Sequence, residues 1–221
     1  MPVGNTTLTW VEQSPLVMGV VTDAAQVARV LREGADIVDL RRASGTFVHE
    51  VRHTHTGVPI AVDVAGGARD LAGIGADLLY DSAGSTEREL TALAAESGAA
   101  VVCSVGEAER LRTEGMVRVF VTPGWRQDPT TLRRGRELAA DWSVLLTVSG
   151  SPEPGGGGES DAREPGDSAI APDTIAAAAL AAMAGVRIVR TTRVTETRRT
   201  VDMIASIAGT RQPARVRRAL A

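Results

Sequence analysis

The chain contains no lysine: all 24 basic residues among its 221 are arginine. A Schiff-base mechanism needs an amine that can lose its proton, which a guanidinium does not do in practice. Lysine-dependent aldolase and dehydratase chemistry is therefore excluded. Cysteine is nearly absent as well. With Cys103 alone, no internal disulfide framework can form, and a cytoplasmic setting is expected. Aromatic residues make up only 3%, so the core has to be built from Ala, Val, Leu and Ile. No apolar run approaches the length a bilayer requires, and the first residues lack the basic and apolar regions of a secretory signal, so no membrane association is expected. A net charge of −3 argues against a general nucleic-acid binder. The arginines near the end, Arg211, Arg215, Arg217 and Arg218, read as solvated terminal charge.

What is present is an alternation. With 43% hydrophobic and 23% charged residues, the composition is that of a globular chain, and its length suits one domain. Short apolar runs at Leu16 to Val21, Asp36 to Leu40, Val58 to Val64 and Asp77 to Tyr80 read as strands buried on both faces. Four more follow at Ala99 to Val105, Val117 to Thr122, Ser143 to Ser149 and Val186 to Val189. Helical patterns lie between them. The first is capped by Thr22 or Asp23 and stopped by Gly34, and a short one is expected at 66–73. Others cover Thr86 to Ser97, Glu107 to Glu114 and Pro129 to Ala140. An Ala-rich helix capped by Asp173 or Thr174 ends at Gly185, and the last starts at a Thr195 cap. Eight such units predict a single-domain (β/α)8 TIM barrel over 16–208, with a doubly wound open sheet as the alternative. Residues 1–15 form an N-terminal extension and 209–221 a basic tail. The Gly-, Pro- and acid-rich stretch 150–172 is expected to be a flexible loop.

Ligands of such barrels bind at the C-terminal strand ends. Those ends present Asp63, Asp81, Arg41, Arg42, Arg126 and Arg190, with Thr122, Ser149, Ser151 and Thr192 as small polar neighbours. Arg190, where the last strand stops, suits a phosphate or carboxylate together with Ser149 and Ser151. The alternative is an ion pair with Asp63 or a neighbouring carboxylate. Asp63 itself suits a metal or a ligand N–H, or else a turn cap. Asp81 reads as a turn cap. Cys103, on an apolar strand with no histidine near it, reads as a buried hydrophobe. His49, His53 and His55 lack a matching carboxylate or cysteine cluster, and a polar connection is preferred there over zinc. Gly155 to Gly158 lacks the strand–Gly–helix spacing of a phosphate loop.

Taken in order, these segments resemble dihydropteroate synthase. The resemblance rests on Val17-Met18-Gly19-Val20-Val21, Gly34 to Leu40, Ile60-Ala61-Val62-Asp63-Val64, Gly75 to Gly84, Val121-Thr122-Pro123-Gly124-Trp125 and Val186 to Val194. It implies a barrel, normally dimeric, that condenses a dihydropterin pyrophosphate with p-aminobenzoate. The chain also departs from the family pattern. The Asn-Val-Thr-Pro-Asp-Ser-Phe loop is missing after Val21, and Arg41-Arg42-Ala43-Ser44-Gly45 replaces the Ser/Thr-Arg-Pro-Gly loop. Tyr80 and Thr122 stand where pterin-contacting Asn and Asp are expected; Ser149-Gly150-Ser151 replaces Ser-Arg-Lys, and Thr192 replaces His. Asp63 and Arg190 survive. The leucine–arginine strand end at Leu40-Arg41 is also similar to thiamine-phosphate synthases and type I dehydroquinate dehydratases, the latter excluded by its need for lysine.

The expectation is a barrel that has lost the synthase reaction and acts as a binding or accessory protein in folate or pterin metabolism. Its partners would be a pterin-like or small anionic ligand and a second barrel, either its own copy or an active paralogue. The alternatives are an enzyme for another small anionic substrate using Asp63 and Arg190, or a divergent synthase. No resident cofactor is implied; Mg2+ would accompany a phosphorylated ligand.

Overall fold

The structure is a computed structural model that describes residues 14–41, 43–64, 75–84, 87–116, 118–125, 127–148 and 172–211. Eight strands form one parallel sheet: β1 (Leu16–Val21), β2 (Ile37–Leu40), β3 (Ile60–Asp63), β4 (Leu78–Tyr80), β5 (Ala100–Cys103), β6 (Val119–Val121), β7 (Leu145–Thr147) and β8 (Ile188–Thr191). Seven helices are described: α1 (Ala24–Arg32), α2 (Gly45–Thr54), α3 (Glu87–Ser97), α4 (Val105–Thr113), α5 (Pro129–Leu138), α6 (Pro172–Met183) and α7 (Val194–Ile207). The strands pair in the order β6-β5-β4-β3-β2-β1-β8-β7. A single bridge between Val121 and Val144 spans the remaining seam, where the Val121 N–H donates to the Ser143 carbonyl at 3.0 Å. The sheet is thus a nearly closed (β/α)8 barrel and not an open doubly wound sheet. The short helix expected at 66–73, Thr86 at the start of the helix expected up to Ser97, most of both termini and nearly all of the 150–172 insertion lie outside the described residues.

Strand side chains alternate between two apolar environments, which explains why the runs are uniformly hydrophobic. Val17, Val38, Leu40, Val62, Leu79, Val101, Val121, Leu146 and Val189 face the helices. Met18, Ile37, Ala61, Leu78, Ala100, Phe120, Leu145 and Ile188 fill the lumen. Helix α7 packs so closely on β1 that a Cβ at Gly19 would stand 2.9 Å from Val194 Cγ2.

At the N-terminal ends of β2 and β4 the same clasp occurs twice. The Asp36 carboxylate accepts the Val17 N–H at 2.8 Å, while the Asp36 N–H donates to the Val17 carbonyl at 2.8 Å. Asp77 repeats this with Ile60, at 2.9 Å and 2.8 Å. An arginine supports each carboxylate: Arg198 Nη1 donates to Asp36 at 2.8 Å and Arg52 Nη2 to Asp77 at 2.5 Å. Both aspartates follow Gly-Ala, and the glycines Gly34 and Gly75 take φ of +102° and +77°, which a side chain rarely adopts.

Several boundaries differ from the sequence reading, each for a local reason. β5 stops at Cys103 because Ser104 turns out to cap α4, its hydroxyl accepting the Glu107 N–H. α6 begins at Pro172, so Asp173 lies inside its first turn instead of capping it. α7 begins at Val194 behind Arg193, without a side-chain cap bond, so Thr195 is not the cap. The difference that matters most is at β8. Ladder bonds to β1 and β7 carry the strand on to Thr191, so Arg190 is a strand residue paired with Met18 and Thr147.

Candidate functional site

Two residues above the apolar lumen layer, the same strand parity delivers polar side chains. Asp39, Tyr80, Thr147 and Arg190 follow Ile37, Leu78, Leu145 and Ile188 on β2, β4, β7 and β8. All four are buried, and three of them form a closed network. Arg190 Nε donates to Asp39 Oδ2 at 2.7 Å, and Arg190 Nη2 donates to the Tyr80 hydroxyl oxygen at 3.2 Å. That hydroxyl donates in turn to Asp39 Oδ1 at 2.6 Å. Trp125, from the turn after β6, lies over this network: its ring centroid is 4.7 Å from that of Tyr80, tilted by 31°. The Arg190 guanidinium is 5.6 Å from the Tyr80 ring and 5.9 Å from the Trp125 ring.

Burial and charge oppose each other here. Burial raises the Asp39 carboxyl above its ordinary value, although Arg190 and Tyr80 pull the other way. Burial disfavours the charge on Arg190, but the Asp39 carboxylate and the Tyr80 hydroxyl outweigh it and raise its pKa, so the guanidinium stays protonated. Tyr80 is raised well above its ordinary value by burial and by the Asp39 charge, so it serves as a neutral donor. A buried ion pair is tolerated when further hydrogen bonds support it, and the Tyr80 hydroxyl makes one with each partner.

The residues singled out from the sequence are distributed differently. Arg190 does not project past the strand with an open fork; its ion-pair partner is Asp39, not Asp63. Asp63 is buried at the end of β3, where Oδ1 accepts the Ser82 N–H at 3.1 Å and Oδ2 the Ser82 hydroxyl at 2.6 Å. Asp81 accepts the Ala83 N–H at 2.9 Å, the turn-capping role expected of it. The Thr122 hydroxyl donates to the Gly124 carbonyl at 2.9 Å and accepts the Gly124 N–H at 3.2 Å, shaping the turn that presents Trp125. Thr192 is exposed just beyond β8. Ser149, Ser151, Arg42 and Arg126 lie outside the described residues. Cys103 is buried, which pushes its thiol up to about 12 and leaves it un-ionised near neutral pH. His49 and His53 are exposed on α2, and among the described residues no three His, Cys, Asp or Glu side chains converge as metal ligands.

Sequence reasoning missed Asp39 and Thr147. Asp39 was visible as a lone charge inside an apolar strand, two residues from Ile37 and so on the lumen side. A groove of about 830 Å³ also opens between α3 and α4 on the outside of the barrel, lined by Ala92, Ala95, Gly98 and Met116 and rimmed by Arg88 and Arg118. It reflects small side chains that leave a gap between helices, and it gathers no reactive constellation.

No model of a known protein family matches the chain. A Mycobacterium leprae protein named inactive dihydropteroate synthase 2 is 31% identical over a 262-residue alignment covering 90% of this chain and 87% of that protein. The structure of Mycobacterium tuberculosis Rv1207 superposes with a TM-score of 0.73 at 28% identity, covering 92% of this chain and 95% of that one. Dihydropteroate synthase from Thermus thermophilus, in complex with 4-aminobenzoate, shares the fold with a TM-score of 0.69 at 22% identity, over 89% and 94% of the two chains. By the extent of the Mycobacterium leprae match and the barrel it shares with these structures, the chain belongs to the dihydropteroate synthase family.

Proposed function

We propose that this barrel does not perform the synthase reaction and serves as a binding or accessory protein linked to pterin or folate metabolism. The observation that carries this reading is the closed Asp39–Arg190–Tyr80 network under Trp125, which fills the upper lumen with protein groups satisfied by one another. A pterin edge entering this space would have to break those bonds or remain unpaired, at about 1–3 kcal/mol per group. The Thr122 hydroxyl is committed to its own turn and cannot replace an aspartate. The name of the Mycobacterium leprae relative supports the same reading. Phosphate and Mg2+ are weaker candidates, because the Arg190 charge is already compensated by Asp39. The test is turnover of dihydropterin pyrophosphate with p-aminobenzoate by the purified protein. No product is expected, and steady synthase turnover would overturn the proposal.

For the partner, the proposal is a second barrel of the same family, its own copy or an active paralogue, in the cytoplasm. Helices α6 and α7 pack together and leave Leu180, Met183, Met203 and Ile207 exposed, an apolar face of the kind that marks contact sites. Light scattering of the wild type and of Met183→Asp should show a dimer that the variant weakens.

A further inference from the structure

On the outer wall of the barrel, α1 and α7 carry matching stripes. Residues 29, 32 and 33 of α1 and residues 195, 198 and 199 of α7 share the i, i+3, i+4 spacing that gathers side chains on one helix face. Val27 and Val30 of α1, and Val194, Thr197 and Val201 of α7, are buried. Between the two stripes lies a cleft of about 350 Å³, lined by Arg29, Arg32, Glu33, Thr195, Arg198 and Arg199. Four guanidiniums therefore meet one carboxylate around it. Part of that charge is already compensated. Arg29 Nη1 donates to Glu33 at 3.1 Å, and Arg198 is held by Asp36 at 2.8 Å and Asp202 at 2.9 Å. Arg32 and Arg199 differ. Arg32 Nε donates to the Ala28 carbonyl of its own helix at 3.2 Å, and among the described residues no carboxylate pairs with either arginine. Both are exposed, whereas Arg190 in the mouth has its counter-ion at 2.7 Å.

We propose that this cleft binds a phosphate group, gripped by Arg32 and Arg199, with the Thr195 hydroxyl as a further donor. Arg29 and Arg198, pinned by their carboxylates, form fixed positive walls. Guanidinium forks match phosphate oxygens two at a time and stay charged at physiological pH. An anion between Arg32 and Arg199 also relieves the repulsion of like charges that converge on one cleft. The volume limits the guest. It lies at the small end of the range for ligand pockets, roughly 300–1,000 Å³, so the guest is inorganic phosphate or a small phosphate ester. The site draws on no lumen side chain and stands whether or not the barrel retains synthase turnover.

Thermal melts at constant ionic strength, with chloride exchanged for inorganic phosphate, test the site. The wild type should gain about 2–4 °C once phosphate exceeds its Kd several-fold. Arg199→Gln and Arg32→Gln each remove one exposed guanidinium without breaking an ion pair, so both should fold and lose most of that gain. Arg133→Gln, which removes an exposed arginine from α5 on another part of the wall, should keep it. Glycerol 3-phosphate is assayed in parallel. A larger shift than with inorganic phosphate identifies an ester as the preferred guest, and an equal or smaller one identifies the free ion. No rise in the wild type overturns the site. So does an equal rise in wild type and Arg199→Gln, which is the general stabilisation that phosphate gives by exclusion from protein surfaces. An equal loss in Arg133→Gln also overturns it, because net charge alone would then account for the effect.

Discussion

The lumen has two storeys built on the same strands, and they solve burial in opposite ways. In the lower one, Ile37, Leu78, Ala100, Leu145 and Ile188 meet as a dry apolar layer. Two residues further along, Asp39, Tyr80, Thr147 and Arg190 occupy the equivalent places on four of those strands. The lower storey needs only volume and is tolerant of which apolar residue provides it. In the upper storey Asp39, Tyr80 and Arg190 work only as a set, since each bonds the other two and removing one strands the rest. A barrel can therefore keep its fold through the first while its chemistry is rewritten in the second.

The sharpest break of this comparison is Asp39→Ala. It leaves the Arg190 guanidinium buried without its counter-ion, and a loss of about 3–5 kcal/mol in urea unfolding is expected. A loss below about 1 kcal/mol would mean that the upper storey is hydrated and not a closed set.

Arg190→Met should cost less, because an unpaired Asp39 can escape by binding a proton whereas arginine cannot lose one. The Asp39 carboxyl is already raised, and removing Arg190 raises it further. The folded variant then binds a proton more readily than the unfolded chain, so its stability falls as pH rises through the elevated value. Relative to wild type, the defect should be largest at neutral pH and shrink as pH falls toward the ordinary carboxylate value of 3.8. Leu145→Ala in the lower storey is the control: about 2–5 kcal/mol lost to a cavity, with no such pH slope in its difference from wild type. Parallel slopes for the two variants would erase the distinction between the storeys.

The smallest effect is expected for Tyr80→Phe, which keeps the ring under Trp125 and removes the hydroxyl shared by Asp39 and Arg190. About 1–3 kcal/mol should be lost, with the fold intact by circular dichroism.

The barrel was legible because strands buried on both faces leave continuous apolar runs between amphipathic helices. The same property hid the site. A run that is apolar on both faces shows no alternation, so it does not reveal which residues point into the lumen. Val186 to Val189 looked like a complete strand, and Arg190 was placed beyond it; ladder pairing with Met18 and Thr147 keeps it inside. Asp63 and Asp81 were recognised as mouth residues because turns follow them directly. Asp39 lies one residue before the end of its strand, so only its odd polarity marked it. The Asp39–Arg190 contact joins residues 151 apart, which no local pattern can encode.

The aspartate clasps at the opposite end of the barrel bear on the order in which the chain assembles. Asp36 reaches Val17 across a sequence separation of 19, and Asp77 reaches Ile60 across 17. Short loops are cheap to close, so the β1–β2 and β3–β4 pairs can be stapled while the rest of the chain is still searching. Arg190 meets Asp39 only when β8 docks beside β1, the step that turns the sheet into a ring. The mouth is accordingly a late product of ring closure, resting on modules that are already fastened beneath it.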